Sequence, residues 1–519
     1  ETDAAIEAQF VSYLEFGLLE FMREAIGWCY LKNHFSLKYD PDLPGIRYDY
    51  HVFEAPYTPR MVFGGTEAAS GWECSRDAFI GATGTYALPE ALQAGRDLSN
   101  SQLPLGGHAC AVEGVDVTLE AGGSKRFGFV FTLGETWDEA DRLLTKYRDA
   151  DTLAGALEDA EQFWRDRLER TQVRSGDETF DRFVNTWIPY NSMVALDLAR
   201  TISTDHMGLD GLRYRDTTQD AIGVSQIDPE FATHRMMQVF AEQTRDGGGC
   251  FAFYPDDPRP TTDTPHRSDN TVWPIYTVHN LLAETGDWSL LDRVIPYRDS
   301  GEASVYEHLR LGLEHIEQRR GPNGLPKMFH ADWNDGLALF QDEAAESVML
   351  GMQMVHACKL LAEIAGRLGR DRDVQWCSHL SQELTDILNS DVVWDGQWYR
   401  RLLLSNGKVI GSAGNAQGQI YLNPQSWSVI SGVGDLDGRG RMAMDAAARQ
   451  LDTEVGLALL DPPFTGIPEP DDPPLGSNPG CGENGAIFCH ANTWAIIAEA
   501  MLEKPDRAFK YFRQMLPAV

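Results

Sequence analysis

Four polar segments carry residue types that could bind or cleave a sugar, and the first spans 211–220. It holds a dense set of guanidinium and carboxylate groups: Arg213, Arg215, Asp216 and Asp220. Such groups offer paired hydrogen bonds to sugar hydroxyls and to anions. An alternative is a salt-bridged helix start with Asp216 or Thr217 as its N-cap.

The second segment, 265–273, places Asp269 and Asn270 shortly before Trp273. Sugar sites combine a carboxylate or amide, which binds hydroxyls, with an aromatic face that packs against the ring carbons. An ordinary capping turn before a core tryptophan would have the same residues. The segment is informative only together with the others.

The third segment, 330–336, contains Asp332, Trp333, Asn334 and Asp335. A carboxyl group beside a large apolar ring tends to have a raised pKa, as a general acid at neutral pH requires. We therefore expect an apolar neighbour for the catalytic carboxyl group. A purely structural capping turn is the alternative.

The fourth segment, 480–490, surrounds Glu483 with glycines and ends at His490. Glycine lets the backbone approach a ligand closely. Glu483 can accept hydrogen bonds from sugar hydroxyls, and His490 could donate one to phosphate. A histidine in this position could equally be a hydrogen-bonded core residue.

The elements that must position these segments change in type along the chain. Short strand-like runs with Gly and Pro breaks fill the first 145 residues after an apolar, helix-like opening at 16–26. Residues 115–120 and 126–132 are predicted to pair as a hairpin, with Phe127, Phe129 and Phe131 alternating. Such runs are typical of an antiparallel sandwich.

Helical periodicity replaces the strand pattern from about Thr136. We predict helices at 273–285, ending at Gly286, at 347–368, ending at Gly369, and at 492–503, stopped by Pro505. Long polar loops between helices are where binding and catalysis concentrate. An α/α barrel with its site at one mouth fits this layout.

Composition excludes several classes of function. The net charge of -34 repels phosphodiester backbones, so we expect no nucleic-acid partner. No run of about 18 apolar residues occurs, which argues against a membrane span. The eight cysteines lack CxxC pairs and zinc spacing, which indicates reduced thiols in a cytoplasmic protein without a metal site.

The stretches YRDTTQD at 214–220, ADWND at 331–335 and ENGAIFCH at 483–490 resemble signatures of glycoside hydrolase family 94. This family comprises cellobiose, cellodextrin, chitobiose and cellobionic acid phosphorylases. The resemblance implies a multidomain α+β fold. Its parts would be an antiparallel β-sandwich at 1–135, a helical linker at 136–172 and an (α/α)6 barrel catalytic domain at 173–519. It also implies a homodimer.

The resemblance assigns roles to individual residues. Asp335 would be the general acid with Trp333 packed near it, Asp216 would bind the donor sugar, and Glu483 the acceptor sugar. His490 and the upstream Arg200 would bind phosphate. The remaining members of the substrate site would be Arg213, Arg215, Asp220 and Asp269.

Three departures from the family pattern stand out. Gly482 replaces a lysine that often precedes the ENG motif, and Asp269–Asn270 replaces an Asp-Asp pair. The sequence ends at Val519, where the family continues into a Gly- and Thr-rich phosphate-binding loop and a small β-domain. We therefore expect a short or incomplete form, with the N-terminal sandwich also incomplete.

The expected reaction is inverting phosphorolysis of a cellobiose-like β-disaccharide, giving α-glucose 1-phosphate and a free acceptor sugar. Phosphate is a substrate, and no cofactor is needed. Residues 459–482 contain no Lys or Arg, which argues against an acidic acceptor unless His266 or Arg267 supplies the charge. Cellobionic acid and N,N'-diacetylchitobiose remain alternatives, as do an inverting hydrolase and a non-catalytic sugar-binding protein.

Overall fold

The computed structural model describes residues 4–15, 35–50, 60–93, 97–104, 106–198, 211–255, 261–466 and 476–517. These residues divide into two compact units, the first ending at Arg167 and the second beginning at Leu168. The predicted helix at 16–26 lies outside the described residues. So does Arg200.

The first unit contains two antiparallel sheets. One has the strand order β1-β6-β5 and the other β2-β3-β4-β7. The strands are β1 (Ile6–Val11), β2 (Phe35–Asp40), β3 (Gly45–Tyr50), β4 (Arg60–Gly65), β5 (Gly71–Ser75), β6 (Ala109–Leu119) and β7 (Phe129–Gly134).

The two sheets share one apolar core. Leu37, Ile46 and Met61 of the second sheet pack with Cys74 and Ala111 of the first. Alternate residues of a strand point to the same face, so each sheet contributes one apolar face to the contact. This arrangement is the predicted antiparallel sandwich.

The predicted hairpin between 115–120 and 126–132 is wrong. Residues 114–119 of strand β6 pair with β1, and residues 109–114 pair with β5. Strand β7 pairs with β4 in the other sheet. The alternation was correct, but its buried face holds Val130 and Thr132, while Phe131 is 45% exposed.

Three helices follow strands in the first unit: α1 (Arg76–Ile80), α2 (Trp137–Tyr147) and α3 (Ala150–Leu168). Thr136 caps α2 by accepting a hydrogen bond from the Glu139 backbone N–H. Ala140 and Leu144 of α2 pack against Val62 and Val130. The segment predicted as a helical linker therefore includes a helix that covers one face of the sandwich.

The second unit is mainly helical. A π-helical turn, Phe183–Trp187, joins the first two of its helices. They are α4 (Glu178–Arg182), α5 (Ile188–Leu198), α6 (Tyr214–Val224), α7 (Pro229–Ala241), α8 (Trp273–Thr285), α9 (Val305–Glu317), α10 (Val348–Arg367), α11 (Asp371–Leu388), α12 (Leu422–Ile430), α13 (Arg439–Gln450), α14 (Cys489–Met501) and α15 (Pro505–Met515).

Short strands and 3-10 turns connect these helices. The strands are β8 (Leu212–Arg213), β9 (Ala252–Phe253), β10 (Val294–Pro296), β11 (Glu302–Ser304), β12 (Glu346–Ser347), β13 (Leu402–Leu403), β14 (Val409–Ile410), β15 (Ile420–Tyr421), β16 (Asp452–Thr453), β17 (Gly456–Leu457) and β18 (Leu460–Asp461). The 3-10 turns are Trp288–Asp292, Asp335–Phe340 and Val433–Gly438.

Alternate helices of the second unit pack in series. Helix α6 contacts α8, α8 contacts α10, α10 contacts α12, and α12 contacts α14. The intervening helices α7, α11, α13 and α15 pack beside this row. A helix that is apolar on most of its surface is a core helix, and α10 and α12 bury most of their residues.

Two predicted helix ends are confirmed, and the predicted bounds of a third helix are wrong. Helix α8 ends at Gly286, whose φ of 66° is the left-handed cap conformation, and Gly369 follows α10 with φ 67°. Helix α14 begins at Cys489, three residues earlier than predicted. Pro505 begins the next helix, because its fixed φ suits a first helical turn.

Helix α10 is also long and apolar enough to cross a membrane by composition alone. In the structure, 72% of its apolar window is buried inside the protein. This burial is typical of a core helix.

Candidate active site

Three of the four polar segments, 211–220, 265–273 and 330–336, meet around the guanidinium group of Arg215, in the first turn of α6. Its Nη1 donates to the backbone oxygen of Asp332 at 3.1 Å and lies 3.5 Å from Oδ1 of Asp269. Its Nη2 lies 3.6 Å from Oδ1 of Asp335, and its Nε 3.3 Å from Asp216. Four predicted site residues are thus brought together by one cation.

Helix α6 begins at Tyr214 because local packing fixes this turn. The Tyr214 side chain is fully buried against Gly249, where an added Cβ would lie 2.9 Å from the ring. Thr218 donates to the Tyr214 carbonyl oxygen. The N-cap position is Arg213, so the expectation that Asp216 or Thr217 caps the helix is wrong. Asp216 lies inside the first turn, where its charge suits the helix dipole.

Asp332 holds the segment 331–336 in place through its hydrogen bonds. Its Oδ1 accepts from Arg401 at 2.7 Å and from the Asn334 backbone N–H at 2.9 Å, and its Oδ2 accepts from Ser347 at 2.6 Å. Burial acts to raise the pKa of Asp332, but Arg401 and these hydrogen bonds outweigh it, so the pKa lies below its usual range. Asp332 therefore anchors the segment as a carboxylate.

Asn334 turns the chain so that Asp335 faces the guanidinium group of Arg215. Its side-chain oxygen accepts from the Gly336 backbone N–H at 3.0 Å and begins the 3-10 turn Asp335–Phe340. The Asp335 side chain is 31% exposed, whereas Asp332 has no exposed surface. Only the second aspartate is open to a ligand.

Two cations lie beside Asp335. Oδ1 lies 2.9 Å from Nε of Arg267 as well as 3.6 Å from Arg215. The contact with Arg267 is an ion pair without hydrogen-bond alignment.

Trp333 belongs to an aromatic cluster. Its ring centroid lies 5.2 Å from that of His490 and 4.7 Å from that of Trp494. Trp494 also packs against Trp273 and Trp427. All four tryptophans are at most 7% exposed. The cluster fixes His490 beside the segment that carries Asp335.

Asp269 connects the aromatic cluster to the charged one. It is fully buried, accepts from the Trp273 indole N–H at 2.9 Å and faces Arg215. Burial raises its pKa, against the opposing charge of Arg215. Asn270 is occupied elsewhere, since its amide donates to the Cys250 carbonyl oxygen at 2.8 Å.

Glu483 lies against the Asp335 turn. A Cβ added at Gly336 would come within 2.7 Å of the Glu483 Cβ, so only glycine permits this approach. Beside them lies a cavity of about 40 Å³, lined mainly by apolar side chains that include Leu337, Leu460 and Phe464. The fourth segment therefore reaches the third, as the predicted acceptor site requires.

Matches to sequence profiles identify the family of this chain. The profile described as "Glycosyl hydrolase 94 superfamily, catalytic domain" matches residues 163–519, and that described as "Glycosyl hydrolase 94, supersandwich domain" matches residues 2–150. The chain belongs to glycoside hydrolase family 94. Its first unit is the supersandwich domain of this family, and its second unit falls within the catalytic domain.

Three relatives of this family 94 chain are phosphorylases named for different disaccharides. It is 32% identical over 509 residues to an N,N'-diacetylchitobiose phosphorylase of Vibrio proteolyticus, covering 92% of this chain and 62% of the relative. It is 28% identical to a solabiose phosphorylase of Paenibacillus borealis, covering 88% and 58%. It is 27% identical to a cellobionic acid phosphorylase of Neurospora crassa, covering 86% and 55%. The chain thus spans about three fifths of these relatives.

Two arginines that contact Asp332 and Asp335 were not predicted as site residues from the sequence. Arg401, which binds Asp332, is 69 residues distant and has no motif around it. Arg267 was considered only as a ligand for an acidic acceptor, although it directly precedes the Ser-Asp-Asn stretch. Because Arg267 lies in the second polar segment, its position in the sequence could have indicated a role in the site.

The other predicted residues are placed as follows. Arg213 is half-buried, with its guanidinium 4.8 Å from the centre of the Phe251 ring, and Asp220 is half-buried in α6. Among the described residues, no group of three or more His, Cys, Asp or Glu could hold a metal ion. Cys481 and Cys489, near the fourth segment, are exposed free thiols.

Proposed function

We propose that the protein cleaves a cellobiose-like β-disaccharide with inorganic phosphate, giving α-glucose 1-phosphate and a free acceptor sugar with inversion. The observation that carries this proposal is the partly exposed carboxylate of Asp335 beside buried guanidinium groups. One proton donor and a basic anion pocket are what phosphorolysis needs. Phosphate is already a nucleophile, so no second carboxylate has to activate water.

The bond changes balance without a cofactor. An oxygen of HPO₄²⁻ attacks the anomeric carbon as its bond to the interglycosidic oxygen breaks. Protonated Asp335 gives its proton to that departing oxygen, which becomes the acceptor hydroxyl. The sugar phosphate then loses the proton that phosphate brought, and Asp335 can take it up again for the next turnover.

The other roles in this proposal are those that the resemblance implies. Asp216 binds the donor sugar with Arg213, Arg215 and Asp220, Asp269 orients Arg215, and Trp333 packs beside the site. Glu483 contacts the acceptor, and His490 and Arg200 bind phosphate. The proximity of Glu483 to Gly336 supports an acceptor position next to the proton donor.

The acceptor is a neutral sugar in this proposal. The only Arg267 contact with a charged group among the described residues is to Asp335, which leaves this cation committed to the proton donor rather than to an acceptor carboxylate. An acetamido acceptor is the second choice, because the relative with 32% identity is an N,N'-diacetylchitobiose phosphorylase.

We further propose that the helical unit closes into an (α/α)6 barrel and that the protein is a cytoplasmic homodimer. The serial packing of α6, α8, α10, α12 and α14 supports the barrel. The reduced state of the described cysteines is compatible with the cytoplasm.

The test is a panel of β-disaccharides incubated with and without phosphate and assayed for sugar 1-phosphate and free sugar. We expect sugar 1-phosphate only when phosphate is present, with cellobiose ahead of cellobionic acid. Sugar release without phosphate would instead favour a hydrolase, for which Asp216, Asp220 and Glu483 are candidate bases. Calorimetric sugar binding without turnover would favour a binding protein.

A further inference from the structure

The two carboxyl oxygens of Asp335 have different surroundings. Oδ1 is buried and lies 2.9 Å from Nε of Arg267 and 3.6 Å from Nη2 of Arg215. The side chain as a whole is 31% exposed, so its open surface includes Oδ2 rather than Oδ1. Oδ2 is therefore the oxygen that a departing sugar oxygen can reach.

An aspartate does not fix the orientation of its own carboxyl group. The terminal torsion of this side chain is broad, so the plane of the group can turn at little cost. The Asn334 side chain fixes the backbone next to Asp335 by accepting from the Gly336 N–H, but this contact does not involve the carboxyl oxygens. Contacts at Oδ1 are therefore needed to hold the plane of the group.

Arg267 is held in place independently of its contact with Asp335. Its backbone forms β-bridges with Phe329 and Ala331, in the stretch that leads into the Asp335 turn. Its guanidinium group lies 5.7 Å from the centre of the Phe251 ring, and its side chain is 8% exposed. Because this long side chain is already immobilised, little conformational entropy remains to be lost when it orients a neighbour.

Arg215 contacts the same oxygen, but its charge is shared among several carboxylates. Asp216 and Asp269 lie 3.3 Å and 3.5 Å from its nitrogens, closer than Asp335 does. In the described part of the chain, the ion pair of Arg267 is with Asp335. Arg267 is therefore the cation whose position is best suited to orient the Asp335 carboxyl group.

We propose that Arg267 is a positioning residue that holds Oδ1 of Asp335 so that Oδ2 points at the departing sugar oxygen. This inference rests on the proposed function. A carboxylic acid and a carboxylate both keep acceptor capacity on the oxygen that carries no proton, so a guanidinium group can contact either form. The same contact therefore orients Asp335 when it gives its proton in phosphorolysis and when it receives one in synthesis.

The test compares two donors whose leaving groups differ in their need for a proton. The first is the disaccharide that the panel selects, with cellobiose expected, and its departing sugar oxygen must be protonated. The second is the β-fluoride of the same donor sugar. Its carbon–fluorine bond breaks as phosphate attacks, and fluoride leaves as an anion without a proton. For both donors, kcat/KM is measured at saturating phosphate from the formation of sugar 1-phosphate.

Substitution of Arg267 should affect only the donor that needs the proton. Arg267→Met keeps an apolar stem beside Phe251 and removes the contact with Asp335. Since a displacement of about 1 Å can cost about 100-fold in rate, we expect kcat/KM to fall by about 100-fold for the disaccharide and by less than about threefold for the fluoride. Asp335→Asn should show the same selectivity, because it removes the proton itself.

Two further variants serve as comparisons. Arg267→Lys keeps a positive charge without the planar guanidinium group, so the loss for the disaccharide should be intermediate. Arg370→Gln removes an exposed arginine that pairs with Glu307, and it should leave kcat/KM for both donors unchanged.

The ratio of the two rates separates positioning from a general loss of structure. A variant that folds poorly has less active enzyme for both donors, so its ratio stays that of the wild type. Equal losses for the two donors in Arg267→Met, or loss of both activities, would overturn the proposal. The double variant Arg267→Met with Asp335→Asn should be no slower than Asp335→Asn alone, and additive losses would also overturn it.

These outcomes differ from those that would refute the proposed function. Disaccharide cleavage without phosphate would refute phosphorolysis. The release of free sugar and of fluoride would then still test Arg267, because a hydrolase also protonates its departing oxygen. Phosphate-dependent cleavage with equal losses in Arg267→Met would leave phosphorolysis intact and refute the role of Arg267.

Discussion

Asp332 and Asp335 stand three residues apart in one turn, yet their surroundings are opposite. Asp332 has no exposed surface, and three donors satisfy its two oxygens. Asp335 is 31% exposed, and the cations beside it do not hydrogen-bond to it. A saturated carboxylate holds structure, whereas an unsaturated one keeps capacity for a ligand. The comparison assigns anchoring to the first aspartate and chemistry to the second.

The largest expected effect is on activity at the second aspartate. Asp335→Asn removes the proton donor but keeps the shape of the side chain, so phosphorolysis should fall by about 10²–10⁴-fold. Thermal unfolding should change little. The measurement is the initial rate of sugar 1-phosphate formation beside a melting curve. A variant that retains wild-type rates would remove Asp335 from the mechanism.

Substitution of the first aspartate, Asp332, should lower the stability of the protein. Asp332→Ala leaves the fully buried Arg401 without its carboxylate partner, which should cost about 3–5 kcal/mol in unfolding free energy. Urea denaturation measures it, with the exposed Asp391→Ala as a matched control. Equal unfolding free energies for the two variants would show that the buried pair does not anchor the turn.

A buried carboxylate in the sandwich extends the comparison to a group without a contacting cation. Burial raises the pKa of Glu113 to about 7, partly offset by a hydrogen bond from the Gly65 N–H at 2.8 Å. The folded state then binds the proton more tightly than the unfolded chain, whose glutamate titrates near 4.5. Stability should therefore fall as pH rises from about 4.5 to 7.

Glu113→Gln should remove this loss. We expect the unfolding free energy of the variant, relative to that of the wild type, to increase as pH rises. The increase should reach roughly 2–3 kcal/mol above pH 7 if the amide fits the same space. Unfolding curves at pH 5 and pH 8 give the difference, and the exposed Glu120→Gln provides the control. A difference that does not vary with pH would contradict the ionisation of a buried Glu113.

The smallest expected effect concerns the contact between the third and fourth segments. Gly336→Ala would bring two Cβ atoms within 2.7 Å, so Glu483 must move. Overpacking of this kind costs about 1 kcal/mol or more, and we expect a rise of up to about tenfold in KM for the acceptor sugar in synthesis. Gly155→Ala, which has open space, should leave KM unchanged. An unchanged KM in Gly336→Ala would argue against Glu483 as an acceptor contact.

Local signals predicted well wherever short-range chemistry decides the structure. The ends of α8 and α10 follow from glycines in the left-handed conformation, and the Asn334 turn follows from its own side chain. The motif-bearing segments were recognised individually and do meet in space. These features depend on residues within a few positions of each other.

Long-range partners could not be derived in the same way. Strand β6 has the pattern of a hairpin arm, but residues 115–119 of that arm pair with β1, more than 100 residues away in sequence. The charge state of Asp332 depends on Arg401, and the surroundings of Asp335 on Arg267, both brought close only by the fold. A single sequence contains the residues of such pairs but not their pairing.

The cluster of indoles beside His490 gives the protein an internal optical reporter. Trp333, Trp494, Trp427 and Trp273 follow one another with ring centroids 4.7–6.0 Å apart, close enough to exchange excitation energy. A sugar or anion that shifts His490 or the Asp335 turn therefore changes the emission of the whole group. Ligand titrations can be followed by intrinsic fluorescence, without a label and without turnover.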